Sequence, residues 1–293
     1  MNDKRPRRFP LYGVLGLALI VAAQACAAFD HYNPDASAFA RRVSRHATAV
    51  CWWGYLLFVD AWIRRMKGES LLTTRRAEFA VMLPLSVLFW VLFEFYNFHL
   101  INWRYEGLSP LQWERIIGST AAFATVLPGV LLTSEWLDAK GVFRNLKIEP
   151  LRVDGRLTFG LILFGTACAV VPLMLPQAWA KYAFAPVWIA YAFMLDPINR
   201  ANGAPSLLAD FERGHLGKAA SLFAAGLLCG FWWESWNWFA AAKWKYQVPF
   251  TPGVSIFEMP MAGFLGFAPF AWELYAMYHF ARTIGRSSQR GIN

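Results

Sequence analysis

The chain is poor in charge. Only 16% of its 293 residues are Asp, Glu, Lys or Arg, against roughly 25% in soluble domains. It is also poor in grouped metal or redox ligands. The four cysteines, Cys26, Cys51, Cys168 and Cys229, each stand alone in an apolar run. No C-x-x-C spacing occurs, and the five histidines lack ligand spacing. A structural zinc, a dithiol or a haem needs such grouping, so we expect no metal and no cofactor. There is no glycine-rich nucleotide loop and no nucleophile motif.

What the chain has in abundance is apolar length. Hydrophobic residues make up 57% and aromatics 17%, with fifteen tryptophans. The formal net charge is +9. In a soluble protein that surplus would point to nucleic acid. Here the basic residues fall between long apolar runs, so they read as topology signals and no nucleic-acid partner is expected. A spanning helix needs about 20 apolar residues. Eight segments qualify by this reading: about 11–29, 47–63, 78–98, 117–136, 157–175, 178–196, 217–241 and 256–281. Two readings stand for the first. Lys4, Arg5, Arg7 and Arg8 with Ala25-Cys26-Ala27 suit a cleaved signal sequence. The length of the run, and the need for a partner to the fifth segment, suit a retained helix.

Of the 28 basic residues, 20 fall in one alternating set of connections and 8 in the other. Cytoplasmic loops are the basic ones. The expectation is a multi-pass protein of the bacterial cytoplasmic (inner) membrane, with both termini cytoplasmic and an even number of spans.

An internal repeat is legible. Trp52, Tyr55, Asp60 and Arg64 match Trp188, Tyr191, Asp196 and Arg200 at one constant offset, which Ser70-Leu71-Leu72 and Ser206-Leu207-Leu208 share. After a short insertion, Glu94 and Asn97 match Glu234 and Asn237; Trp103 and Tyr105 then match Trp244 and Tyr246. The expected fold is all-α: a polytopic bundle of about eight helices in two parallel four-helix repeats, 1–150 and 151–293. Repeats of even helix number enter the membrane in the same direction, as in the halves of some transporters.

The repeat singles out its polar residues. Intramembrane carboxylates are costly and commonly face a bundle interior or a wet cavity. Glu94 and Glu234 are the candidate proton donors. Asn97 and Asn237, one helical turn on, are expected beside them with Trp233, Trp236 and Glu258 as ligand-binding residues. The structural alternative is that Glu and Asn lock helices together by hydrogen bonds. A second polar cluster is expected on the cytoplasmic side. It contains the i,i+4 pairs Asp60–Arg64 and Asp196–Arg200, together with Glu135 and Glu273 at the ends of their helices. The eighth segment carries Pro260, Gly263, Gly266 and Pro269, which interrupt a helix and free backbone groups.

The stretch 233–275, with Trp-Asn, Lys-Trp-x-Tyr-x-Val-Pro-Phe, Ile-Phe-Glu-Met-Pro and Trp-Glu-Leu-Tyr, resembles a group of uncharacterised bacterial multi-pass membrane proteins with a tandem four-helix repeat. So do Phe-Glu-Phe-Tyr-Asn and Asn-Trp-Arg-Tyr in 93–105 and Phe-Ala-Thr-Val-Leu-Pro in 123–128. The resemblance covers most of the chain and implies a membrane protein without implying chemistry. A weaker resemblance is to the membrane-bound lycopene cyclases, which also repeat a helical unit and use intramembrane carboxylates. Their Pro-x-Glu-Glu type motif is absent, since Glu258-Met-Pro260 has the reverse order and one acid, and no catalytic assignment is carried over.

Three functions follow as expectations. The first is binding of, or action on, an apolar ligand (isoprenoid, quinone or other lipid) in an acid-containing aromatic cleft between the repeats. The second is a proton-coupled transporter or channel at the repeat interface. The third is a non-catalytic membrane assembly or signalling partner. The bilayer is the expected partner in all three.

Overall fold

The computed structural model describes residues 8–249 and 254–290, with only the backbone described for 286–290. The basic residues Lys4, Arg5 and Arg7 lie outside the described residues. The chain is mostly helical. In order, α1 spans Leu11–Tyr32, α2 Ala38–Lys67 and α3 Arg76–Leu100. Strand β1 (Trp103–Glu106) precedes α4 (Gln112–Phe123) and α5 (Val126–Lys140). Then come α6 (Gly155–Met174), the single turns α7 (Gln177–Ala180) and α8 (Phe184–Val187), α9 (Ala190–Ala201) and α10 (Leu207–Glu212). Helix α11 (Gly217–Phe239) leads to β2 (Lys243–Tyr246), the short strands β3 (Ser255–Ile256) and β4 (Met259–Pro260), and α12 (Phe264–Arg290).

Four helical stretches are long and apolar enough to cross a membrane: Leu11–Tyr32, Arg76–Leu100, Gln112–Lys140 and Gly155–Met174. The third of these is α4 and α5, joined through a turn at Ala124 and Thr125. Mean hydropathy reaches 2.1 in α6, and under a third of its most apolar stretch is buried. An apolar helix left uncovered by protein is one that lipid can solvate.

Two expected segments are corrected in shape. The sixth is not one helix: it is divided into the single turns α7 and α8, the second holding Pro186, and only Ala190–Ala201 runs on as α9. Pro197 lies inside α9 and does not start a new helix. The eighth begins at Phe264 and not near 256, because the chain first makes the β3–β4 hairpin and a 3-10 turn over Met261–Gly263. Glu258 therefore sits in a hairpin turn, not in a helix.

Local sequence sets the helix ends. Ser37, Asp154 and Ser206 cap α2, α6 and α10 by accepting from the backbone N–H three residues on. Gly68 ends α2 in the left-handed conformation, φ 83°. Small residues set the packing. Gly16 of α1 and Gly54 of α2 cross so closely that a Cβ on either would strike the other's carbonyl oxygen. Helix α11 packs on α12, α5 and α2, and α9 packs on α6 and α12. The core between them is aromatic: Trp52 meets both Trp233 and Trp236 edge-on, with centroids 5.4 and 5.0 Å apart. Phe93 stacks on Trp188 at 5.0 Å.

The feature that positions the site is not helical. Strands β1 and β2 follow α3 and α11 and pair antiparallel, with Trp103 opposite Tyr246 and Tyr105 opposite Trp244. Alternate residues of a strand share a face. Trp103, Tyr105, Trp244 and Tyr246 thus form one aromatic face of a two-stranded ribbon.

Candidate functional site

Each helix end that leads into the ribbon holds it with the same two side chains. The Asn97 Oδ1 accepts from the backbone N–H of Asn102 (2.9 Å) and Trp103 (3.1 Å), and its Nδ2 donates to the Trp103 carbonyl (2.9 Å). Asn237 accepts from the Trp244 N–H at 3.1 Å and donates to the Trp244 carbonyl at 2.9 Å. An amide carries one acceptor and one donor group, so it can engage a peptide as a neighbouring strand would. Each Asn is spent on the backbone of the first or second ribbon residue.

The acids collect the aromatic donors of the same strands. Glu94 accepts from the indole N–H of Trp90 (2.8 Å) and Trp103 (3.2 Å), and from the Tyr105 hydroxyl. Glu234 accepts from the Trp244 indole N–H (3.3 Å) and the Tyr246 hydroxyl (2.7 Å). It is 0% exposed, and its Oε2 has no partner among the described residues. Burial first, and then the carboxylate that each one faces, hold the Tyr105 and Tyr246 phenols well above the usual tyrosine value. Both hydroxyls therefore stay donors.

On the other side of these aromatics lies a cavity of about 610 Å³. That is within the roughly 300–1,000 Å³ of small-molecule sites. All four ribbon aromatics line it, with Trp90, Trp188, Trp233 and Phe270. The start of α12 supplies Gly266 and Pro269. Phe164 and Leu265 also line it and are exposed, so the mouth of the cavity is apolar.

The expected ligand-binding residues separate on this geometry. Trp233 lines the cavity. Glu94 and Glu234 stand behind the tyrosines and do not line it, and Asn97 and Asn237 clamp the strands without bonding to their acids. Trp236 is buried against Trp52 and Tyr55. Glu258 forms an ion pair with Lys243 at 2.8 Å.

The second cluster is also redistributed, because neither i,i+4 pair forms. Asp60 is fully buried and accepts from the Tyr12 hydroxyl (2.8 Å), the Ser70 hydroxyl (2.8 Å) and the Leu72 N–H (3.0 Å). Arg64 instead donates to the Gly68 carbonyl. Asp196 accepts from the Ser206 hydroxyl and the N–H groups of Leu207 and Leu208, each at 2.8 Å. Arg200 pairs with Glu212 at 2.5 Å. A buried carboxylate gains more from several fixed donors than from one long, mobile side chain. Glu135 is paired to Lys67 (2.6 Å) and Arg75 (2.5 Å).

Glu273 does not end its helix. It sits inside α12, is 0% exposed, and accepts from the Tyr191 N–H at 2.8 Å. Tyr191 is the second residue of α9, where backbone N–H groups have no partner within the helix. Glu273 therefore caps a broken helix from a neighbouring one. Pro186 in the sixth segment was the visible signal of a break, but the identity of the capping residue was not readable from it.

Tyr105, Tyr246 and Trp90 were not among the expected site residues, although Trp-x-Tyr recurs after each Glu-x-x-Asn. No family model matches this chain, and no curated protein or solved structure matches it.

Proposed function

We propose that this protein is a multi-pass protein of the bacterial inner membrane that binds or acts on an apolar ligand in the aromatic cavity. The ligand is an isoprenoid, a quinone or another lipid. The observation that carries this reading is the cavity of about 610 Å³, walled by aromatics and opening past the exposed Phe164 and Leu265. An apolar mouth suits entry from lipid. The polar contribution is small and fixed: the Tyr105 and Tyr246 phenols at the wall, each held from behind by Glu94 or Glu234. Such a site orients a polar end group while its apolar walls hold the rest.

Eight passes with both termini cytoplasmic follow from the split of 20 against 8 basic residues. In this reading the sixth pass is the broken run through α7, α8 and α9. The two halves, 1–150 and 151–293, are duplicated units. What supports this is the recurrence of two devices: a buried Asp bonded to a Ser hydroxyl ten residues on, and an Asn clamping the ribbon.

Mass spectrometry of lipid that co-purifies with the native protein tests the reading, with Gly266→Phe as the comparison. Gly266 lines the cavity, and a Cβ there meets nothing within 4 Å, so a side chain starts from it without a clash; thermal unfolding checks that the variant is folded. The expected outcome is a retained polyprenyl or quinone-like species that Gly266→Phe loses. Retention by both proteins would move the ligand elsewhere. An empty, wet cavity in the native protein would favour the transporter reading.

A further inference from the structure

A second, smaller cavity lies on the other face of the aromatic wall. It measures about 100 Å³ and shares Trp90, Tyr105, Trp233 and Trp244 with the large one. A buried water needs roughly 10–15 Å³, so this space takes several waters or one small oxyanion. Its wall is also largely apolar, but unlike its neighbour's it includes charged side chains. Helix α2 contributes Arg45, His46, Thr48 and Trp52, and α4 contributes Glu114 and Arg115.

The charges there do not balance among themselves. Glu114, the carboxylate on this wall, is already engaged by other side chains. It accepts from His46 at 3.0 Å and Ser109 at 2.5 Å, and Arg42 lies 3.4 Å away. Lys243, which also lines the cavity, is paired with Glu258. Arg45 and Arg115 form no ion pair among the described residues. Arg45 Nε is buried without a partner. Buried polar groups are bonded in the great majority of cases. Two guanidinium groups that line one cavity without a carboxylate of their own are the complement of an anion.

We propose that this cavity binds a phosphate-type oxyanion, with Arg45 and Arg115 as the charged ligands. A guanidinium donates two parallel N–H bonds to such an oxyanion, which makes arginine the apt side chain. The anion is either free phosphate or the phosphomonoester head group of a lipid. The inference does not depend on what fills the apolar cavity.

The test uses the full chain in phosphatidylcholine nanodiscs, titrated calorimetrically with inorganic phosphate at constant ionic strength. A parallel set of nanodiscs contains phosphatidic acid, and thermal unfolding is followed in both. The variants are Arg45→Gln and Arg115→Gln. Arg115 is exposed, so its variant folds even where Arg45→Gln does not. Arg41→Gln is the control, since that side chain is half exposed and lies near Asp30.

Saturable phosphate binding, weakened roughly tenfold or more in Arg115→Gln and unchanged in Arg41→Gln, supports a site for the free ion. Silence toward phosphate, with a rise in thermal midpoint on phosphatidic acid that Arg115→Gln abolishes, supports a head-group site. No response of the native protein to either probe, or an equal response in Arg115→Gln, overturns the proposal.

Discussion

Replacing Asn237 by leucine separates a clamp from a ligand contact. The side chain is 0% exposed, and its amide makes two bonds to one residue, from the Trp244 N–H at 3.1 Å and to the Trp244 carbonyl at 2.9 Å. Leucine preserves volume and removes both. Each lost bond is worth about 1 kcal/mol net, and a buried peptide group left unpaired costs about 1–3 kcal/mol. The expected destabilisation is therefore about 2–4 kcal/mol, with the ribbon register loosened at Trp244. Asn237→Asp keeps the acceptor for the N–H and loses the donor, so it falls between the two. Equilibrium unfolding in mixed micelles measures the change, and hydrogen exchange at 243–246 locates it. A leucine variant as stable as the native protein, with unchanged exchange in β2, would refute the clamp. The amide would then be free for the ligand role expected from the sequence.

Four further outcomes follow. Glu273→Gln keeps an acceptor for the Tyr191 N–H and leaves stability nearly unchanged, whereas Glu273→Leu strands that N–H and costs about 1–3 kcal/mol by the same unfolding assay. Asp60→Ala removes the acceptor of three bonds and costs about 3 kcal/mol. Arg64→Gln costs under about 1 kcal/mol, because Arg64 makes no ion pair with Asp60. Tyr105 and Tyr246 have folded pKa values raised above the ordinary value near ~10. Their contribution to stability is thus complete below pH ~10 and is lost as pH rises through the folded values. In an alkaline titration of the ultraviolet phenolate band, the Tyr105→Phe, Tyr246→Phe double variant should lose late-titrating absorbance and no early-titrating absorbance.

Composition and pattern determined the class of this protein. Low charge and long apolar runs lead to helices, because a helix satisfies its own backbone without water. Four of the expected segments coincide with helical stretches long and apolar enough to cross a membrane. The pairs Glu94–Asn97 and Glu234–Asn237 stood out because each recurs with Trp-x-Tyr behind it. What each member does was decided by tertiary structure. On a helix alone, residues three apart look like partners. In the fold, a strand passes beneath each helix end, the Asn turns to its peptide, and the Glu takes the indole and phenol donors. The same reason explains Asp60 and Asp196. Sequence spacing pointed to Arg64 and Arg200, but a returning loop offers each Asp a Ser hydroxyl and backbone N–H groups that are already fixed. It explains Glu273 as well, since the helix end that it caps follows a break near Pro186, some ninety residues away in the chain. Periodicity reports which residues share a face of one element. It carries no record of which second element arrives there, and for buried polar groups that arrival sets the bond, the burial and the role.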